Sequence, residues 1–381
     1  MDTITHGITG SLVAKAFLSE RHGRIATMAV TLGAVFPDSD TFARFFYSNE
    51  LAGLENHRGV THSLLALPVF ALLLGVLSCL LARQKKWLLF TCFYGIGIAS
   101  HIVLDLITSY GTMIWTPASN ARAAWDMTFI LDFVLTTVVF LPQLTAWVYS
   151  ERPRAWRRGL EVWVFLSLAG VGIAQFAAAM RMPLSVWTVP AASVLVGVLL
   201  VMPSLQGRGF RWRRSRYCRA GVAGVAVYLG LCWVAHQAAL ARVEEFAKRF
   251  QTDDQRMGAQ RLAALPAPPS LFQWAGFVET PQGIYRGTMD LAASAEPSYR
   301  FYPHAESNRY LQAAEALAEV KTYRWFARFP WVSYRQEGEI HVIEYRDLQF
   351  LRSSQPDNSP FTFRVLLDSE GRVLQSGLLN P

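Results

Sequence analysis

Trp87-Leu-Leu-Phe-Thr-Cys-Phe-Tyr-Gly-Ile-Gly-Ile-Ala-Ser-His101-Ile-Val-Leu-Asp105-Leu-Ile107 is the stretch from which the rest of the chain can be read. No charge occurs in it before Asp105, and it meets the requirement of about 20 mostly apolar residues for a helix that crosses a bilayer. Near its end, however, it carries an imidazole and a carboxylate four residues apart, which a helix stacks one turn apart on one face. An aspartate inside an apolar helix costs roughly 3 kcal/mol on insertion scales, so its presence asks for a function. Paired with His101, it is a natural chelate for Zn²⁺, Mn²⁺ or Fe²⁺. The same pair would also serve as a hydrogen-bonded link between helices.

Outward from this segment the chain is 52% hydrophobic and only 17% charged. Six stretches have spanning length, at roughly 63–82, 87–107, 129–149, 160–180, 187–205 and 219–240. Two shorter apolar runs, about 8–18 and 25–36, flank Glu20-Arg-His-Gly-Arg24. Each is too short to cross alone, and together they predict a helical hairpin that dips into the membrane under the protection of other helices. No cleavable signal peptide is expected, because Met1-Asp-Thr-Ile-Thr-His6 lacks a basic start and a long apolar core. The four cysteines, Cys79, Cys92, Cys218 and Cys232, have no metal-ligand spacing and read as small buried hydrophobes.

The arginines give the direction. Of the 20 Lys/Arg in residues 1–240, 15 fall at the hairpin tip and in the connections around 83–86, 152–158 and 208–219. Strict alternation puts all of these on one side, which the positive-inside rule makes cytoplasmic. The opposite loops carry little more than Arg44, Arg58, Arg122 and Arg181. The run Gly207-Arg-Gly-Phe-Arg-Trp-Arg-Arg-Ser-Arg216 is therefore read as a topology determinant facing anionic lipid, with no nucleic acid as partner.

Beyond residue 240 the pattern changes. Leu240 to Leu265 predicts an amphipathic helix ended by Pro266-Ala-Pro-Pro269. Alternating strands follow at Phe272–Val278, Ile284–Met289, Tyr299–Tyr302, Trp331–Tyr334, Ile340–Tyr345 and Phe361–Leu367, with a helix at Glu306 to Arg328. The fold class is thus an α-helical integral membrane bundle of about six spans plus an N-terminal short helical hairpin, followed by a small soluble α+β domain. The expected division is a membrane-embedded metal-site domain at 1–150, additional transmembrane helices at 151–240 and an extracytoplasmic α+β domain at 241–381.

With this topology every unusual polar residue falls at a non-cytoplasmic end. His6 precedes the hairpin, and Asp38 and Asp40 close it in Phe36-Pro-Asp-Ser-Asp40. His57 and His62, in Asn56-His-Arg-Gly-Val-Thr-His-Ser63, stand at the entrance of the first span, and Asp126 and Asp132 at that of the third. His57 and His62 diverge on a straight helix and converge only if His57 lies in the loop and Thr61 caps the helix holding His62. Polar helix entrances and caps are the plainer reading of the same residues. Four histidines and up to five aspartates exceed what one tetrahedral ion needs, and suit two metals with a water as nucleophile. Asp40 and Arg58 are the expected catalytic residues. An unligated Asp or His would act as base, and Arg58, helped by Arg44 or Arg122, would hold an anionic group.

The blocks Met1-Asp-Thr-Ile-Thr-His6-Gly, Phe36-Pro-Asp-Ser-Asp40, Asn56-His-Arg-Gly-Val-Thr-His-Ser63 and His101-Ile-Val-Leu-Asp-Leu-Ile-Thr-Ser-Tyr-Gly-Thr112 resemble the YdjM/YbcI family of bacterial inner-membrane metal-dependent hydrolases, with its longer YfhP-like branch most similar. The resemblance covers about residues 1–135 and implies His6, Asp38, His57, His62, His101 and Asp105 as ligands. Asp132 is a further candidate, although Phe133 departs from the Asp-Pro common there in relatives. The family also looks distantly similar to zinc-dependent phospholipases C and P1-type nucleases.

The expectation is a multi-pass inner (plasma) membrane hydrolase, with Zn (Mn next) in one or two copies, acting on an ester or phosphoester of a lipid or lipid-linked substrate at the outer face. The rival is a noncatalytic membrane module whose C-terminal domain binds an envelope partner. A His-Glu-x-x-His metalloprotease motif is absent from the sequence, as is an internal repeat of the transporter kind.

Overall fold

The computed structural model describes residues 1–43, 51–179, 185–208, 210, 212–248, 259–268, 271–293, 296–351 and 360–379. Arg44, Arg181 and Arg211 of the charge pattern lie outside the described residues, as do residues 249–258 of the predicted amphipathic helix. The chain forms two compact units. One comprises Met1–Pro37, Ala66–Leu104 and Leu131–Gly230, the other Asp38–Leu65, Asp105–Ile130 and Leu231–Pro381.

In the first unit, α1 (Thr3–Phe17) and α2 (Ser19–Val35) form the predicted hairpin. The Asp2 carboxylate caps α1 by accepting from the Thr5 N–H at 2.9 Å. The arms pack tightly because Gly10 has no side chain: a Cβ there would lie 2.6 Å from that of Ala34. Residues 20–24 are helical rather than a loop, broken only at Gly23 with φ +71°. In chain order, α3 (Asp40–Ala43) and α4 (Ala52–Asn56) belong to the second unit. The first unit continues with α5 (Leu67–Leu81), α6 (Trp87–Leu106), α7 (Phe133–Val148), α8 (Ala155–Ala179), α9 (Thr188–Leu200), α10 (Met202–Leu205) and α11 (Arg214–Lys248), of which α6 from Asp105 and α11 from Leu231 belong to the second unit.

Among the described residues, four helical stretches are long and apolar enough to cross a membrane: Trp87–Leu106, Arg152–Ala179, Thr188–Leu205 and Arg214–Lys248. The bent pair Ala52–His62 with Leu67–Leu81 makes a fifth if it is one span. The third predicted span is α7, with 16 residues. At 1.5 Å per residue it rises about 24 Å, less than a hydrocarbon core of about 30 Å. It is stopped at its start by Asp132, and it holds Pro142 within it. The windows in α8 and α9 are only 11% and 6% buried, leaving apolar surface on nearly every side, as on a lipid-facing helix. Cys79, Cys218 and Cys232 are buried and Cys92 is exposed.

The C-terminal part of the second unit holds two antiparallel sheets, each in sequential order. The first contains β1 (Arg261–Pro266), β2 (Gln273–Thr280), β3 (Gly283–Asp290) and β4 (Ser298–Pro303), and the second β5 (Pro330–Glu337), β6 (Ile340–Asp347), β7 (Phe363–Leu367) and β8 (Val373–Leu378). The predicted amphipathic helix is thus corrected. The helix is described over Arg214–Lys248, and Arg261–Pro266, predicted as helix, is a strand that pairs with β2. Leu262 and Ala264 face α11 while Ala263 and Leu265 face the core between the sheets, so the run is buried on both sides and hides its alternation. The helix predicted at Glu306–Arg328 is two, α12 (Arg309–Ala316) and α13 (Ala318–Phe326), parted at Leu317. The strand β8 was not predicted.

Ala235, Ala239, Val243 and Ala247, one turn apart along α11, cover the first sheet through Trp274, Val278 and Met289. Tyr323 and Phe326 of α13 cover the second through Ile343, Tyr345 and Phe363, and Leu51, just before α4, and Leu54, within it, enter the same core. Phe277 and Phe329 stack at 4.2 Å between the two sheets.

Candidate metal centre

In the first unit, two glycines bring α2 and α6 together. A Cβ on Gly97 would lie 2.3 Å from the Val30 carbonyl oxygen, and one on Gly33 2.7 Å from that of Tyr94. One turn beyond Gly97, His101 Nδ1 is 2.7 Å from the Ala34 carbonyl oxygen. A carbonyl only accepts, so this bond puts the proton on Nδ1 and the lone pair on Nε2, the arrangement of a metal-ligating histidine. The His6 ring stacks on that of His101, with centroids 3.5 Å apart at 14°. Both rings are fully buried.

In the second unit, Asp40 organises the loop that carries the other histidines. Its Oδ1 is 3.0 Å from His57 Nδ1, and its Oδ2 accepts from the Arg58 N–H at 2.9 Å and the Thr61 hydroxyl at 3.2 Å. His62 Nδ1 is 3.3 Å from the same Oδ2. Burial works to raise the Asp40 pKa, but the bonds to His57 and His62 outweigh it and hold the carboxyl below its ordinary value. Such a carboxylate is an anchor and a weak base. The backbone makes this possible: His57 is extended, and Arg58 takes the left-handed conformation at φ +62°.

His62 carries the argument for a cation. Its Nδ1 faces Asp40, while its Nε2 is 3.2 Å from Asp105 Oδ2 and 3.9 Å from Asp38 Oδ1. A neutral imidazole has one N–H, so with the proton on Nδ1 the contact between Nε2 and Asp105 needs a second proton or a cation. Neighbouring ligands of one tetrahedral zinc, each at about 2.0–2.1 Å, lie roughly 3.3 Å apart, close to the separation found. The other Asp105 oxygen, Oδ1, is 2.9 Å from Arg58 Nη2. Arg58 Nη1 donates to Thr108 Oγ1 at 3.0 Å, and the guanidinium lies over the Tyr110 ring. Arg58 is thus buried and committed to Asp105.

The predicted residues therefore sort into three sets. His6 and His101 stand together in the first unit, and Asp38, His62 and Asp105 stand together in the second. His57 keeps to Asp40, partly exposed, with its ring centroid 5.9 Å from that of His62. Asp132 is elsewhere engaged: it accepts from the Val134 and Leu135 N–H groups at 3.0 Å each as the cap of α7, and from the Tyr228 hydroxyl at 2.7 Å. It stands outside the groups able to hold a metal ion. Asp126 pairs with Arg328. Arg44 lies outside the described residues. Thr61 does not cap a long helix as predicted, since His62 sits in a three-residue 3₁₀ turn. Thr108 and Tyr110 stand within the block at 101–112 that carries the family resemblance, whereas Arg328 carried no signal in sequence. The chain thus holds buried histidine and aspartate groups that could hold a metal ion.

Residues 1–180 match the model of the YdjM inner membrane protein family. A Bacillus subtilis (strain 168) protein described as "Uncharacterized protein YfhP" is 28% identical over 153 residues, covering 38% of this chain and 45% of its own length. The match therefore spans less than half of that relative. No solved structure matches the chain.

Proposed function

We propose that the chain, whose residues 1–180 match the model of the YdjM inner membrane protein family, is a membrane-bound, metal-dependent hydrolase of ester or phosphoester bonds in a lipid or lipid-linked substrate. The observation that carries this reading is His62, buried between two carboxylates with one N–H to share. His6, Asp38, His62, His101 and Asp105 would be the ligands. A bound Zn²⁺ or Mn²⁺, in one or two copies, would supply Lewis acidity and acidify a water toward neutral pH.

The residues of the chain then take separate tasks. Asp40 orients His62 through Nδ1, as carboxylates behind metal-ligating histidines do. Arg58 offsets the negative charge on Asp105. His57, held at Nδ1 by Asp40 and 31% exposed at its side chain, is suited to take a proton at Nε2. The arginine asymmetry supports six crossings, with the site at the outer headgroups and the C-terminal domain outside the cytoplasm. The test is hydrolysis of a panel of phospholipids and lipid-linked phosphates by the protein in vesicles, before and after chelation and zinc return. Activity should vanish and come back. Activity that survives complete metal removal would overturn the proposal.

A further inference from the structure

Within the second unit, the segment that follows Asp105 is gripped by residues from the far end of the chain. Arg328, just past the end of α13, meets the Asp126 carboxylate with both terminal nitrogens, at 2.5 and 3.0 Å. Its Nη1 also donates to the Ser109 carbonyl at 3.0 Å. The Arg328 backbone is itself fixed, because the N–H groups of Arg328 and Phe329 donate to the buried Asp347 carboxylate at 2.9 and 3.1 Å. Nearby, Arg122 donates to the carbonyls of Phe326 and Tyr110.

Tyr110 links this grip to the centre. Its ring packs with Phe326 at 5.7 Å and Phe350 at 6.3 Å, and also with His57 at 5.7 Å. The Arg58 guanidinium lies 4.8 Å from its centroid. Thr108 is held locally, its hydroxyl and N–H donating to the Asp105 carbonyl at 2.8 and 3.1 Å, whereas Ser109 and Tyr110 are met by side chains from farther along the chain. Among the described residues, the isolated bridges Thr108–Thr128 and Thr112–Ala123 are the segment's regular pairings. To these the arginine fork adds planar, paired donors on Asp126 and a bond to the Ser109 carbonyl, which a lysine cannot reproduce together.

We propose that Arg328 is a positioning residue for the metal centre. By clamping Asp126 and Ser109 it fixes Thr108 and Tyr110, which hold Arg58, which in turn sets the Asp105 carboxylate opposite His62. This rests on the reading of His62 and Asp105 as metal ligands. The C-terminal domain is on this account part of the centre's construction, contributing no ligand of its own.

The experiment is zinc affinity of the full-length protein in detergent, measured by competition with a chromogenic chelator. Wild type is compared with Arg328→Ala, Arg328→Lys and Asp126→Asn, and the unfolding midpoint of each metal-free protein is recorded alongside. Outer-shell partners typically contribute 10–100-fold to metal affinity, so Arg328→Ala should weaken zinc binding roughly tenfold, with Arg328→Lys in between. If Arg328→Ala does not fold, the other two variants carry the test. Variants that lose thermal stability yet bind zinc as wild type does would overturn the positioning role alone. A folded wild type that binds no zinc would overturn the centre, and the proposal with it.

Discussion

Asp105→Asn is the substitution whose consequences the geometry sets most tightly. Asp105 is fully buried, with one oxygen 2.9 Å from Arg58 Nη2 and the other 3.2 Å from His62 Nε2. Asparagine keeps the shape and removes the charge, which leaves the Arg58 guanidinium buried without a counter-ion. Breaking a buried pair from one side costs about 3–5 kcal/mol. Arg58 retains its bond to Thr108 Oγ1 at 3.0 Å. The loss should therefore sit near the lower end, at about 3 kcal/mol. Adding Arg58→Met removes the orphaned charge, and apolar replacements of buried pairs are often neutral, so the double variant should recover most of that loss. Metal binding should not recover with it, because the anionic ligand is gone in both. The assay is denaturant unfolding of metal-free protein in detergent, paired with zinc content after exposure and dialysis. A double variant less stable than the single one, or either variant retaining stoichiometric zinc, would refute the reasoning.

Two further outcomes follow from particular contacts. Asp132→Ala removes the cap of α7 and the acceptor for Tyr228, so stability should fall by about 1–2 kcal/mol while zinc content stays unchanged; zinc loss in elemental analysis would return Asp132 to the ligand set. In the second sheet of the second unit, burial works to raise the Glu344 pKa, but hydrogen bonds from Arg335 and Arg364 and the charge of Arg346 outweigh it and lower the carboxyl below its ordinary 4.5. A lowered folded pKa gives stability that is present above the unfolded pKa and lost as pH falls through the folded one. Melting of the full-length protein should therefore weaken below pH about 4.5, and less steeply in Glu344→Gln; equal slopes would count against this ion-pair network.

Much of this architecture could be read from local pattern. The span at 87–107 and the pairing of His101 with Asp105 need only helical periodicity, and α6 carries them as the sequence predicts. His57 and His62 required a break between them, and the left-handed Arg58 supplies it. What was illegible depends on partners distant in sequence. Asp132 and Asp40 are chemically the same residue type, and only the neighbours, Tyr228 and a helix start for one and two histidines for the other, separate cap from anchor. Leu262–Leu265 is an apolar run that would suit either helix or strand, and its pairing with β2 decided it. Asp126 meets Arg328 across some 200 positions, a pairing no window of sequence contains.

The central claim is that His62 lies between carboxylates because a cation belongs there. Elemental analysis of purified, folded wild-type protein, beside His62→Gln, tests it most directly. Wild type should hold at least one equivalent of zinc or manganese, and a His62→Gln protein that remains membrane-inserted should lose it. A folded wild type with no stoichiometric metal, even after exposure to both ions, would contradict it and favour a noncatalytic membrane module.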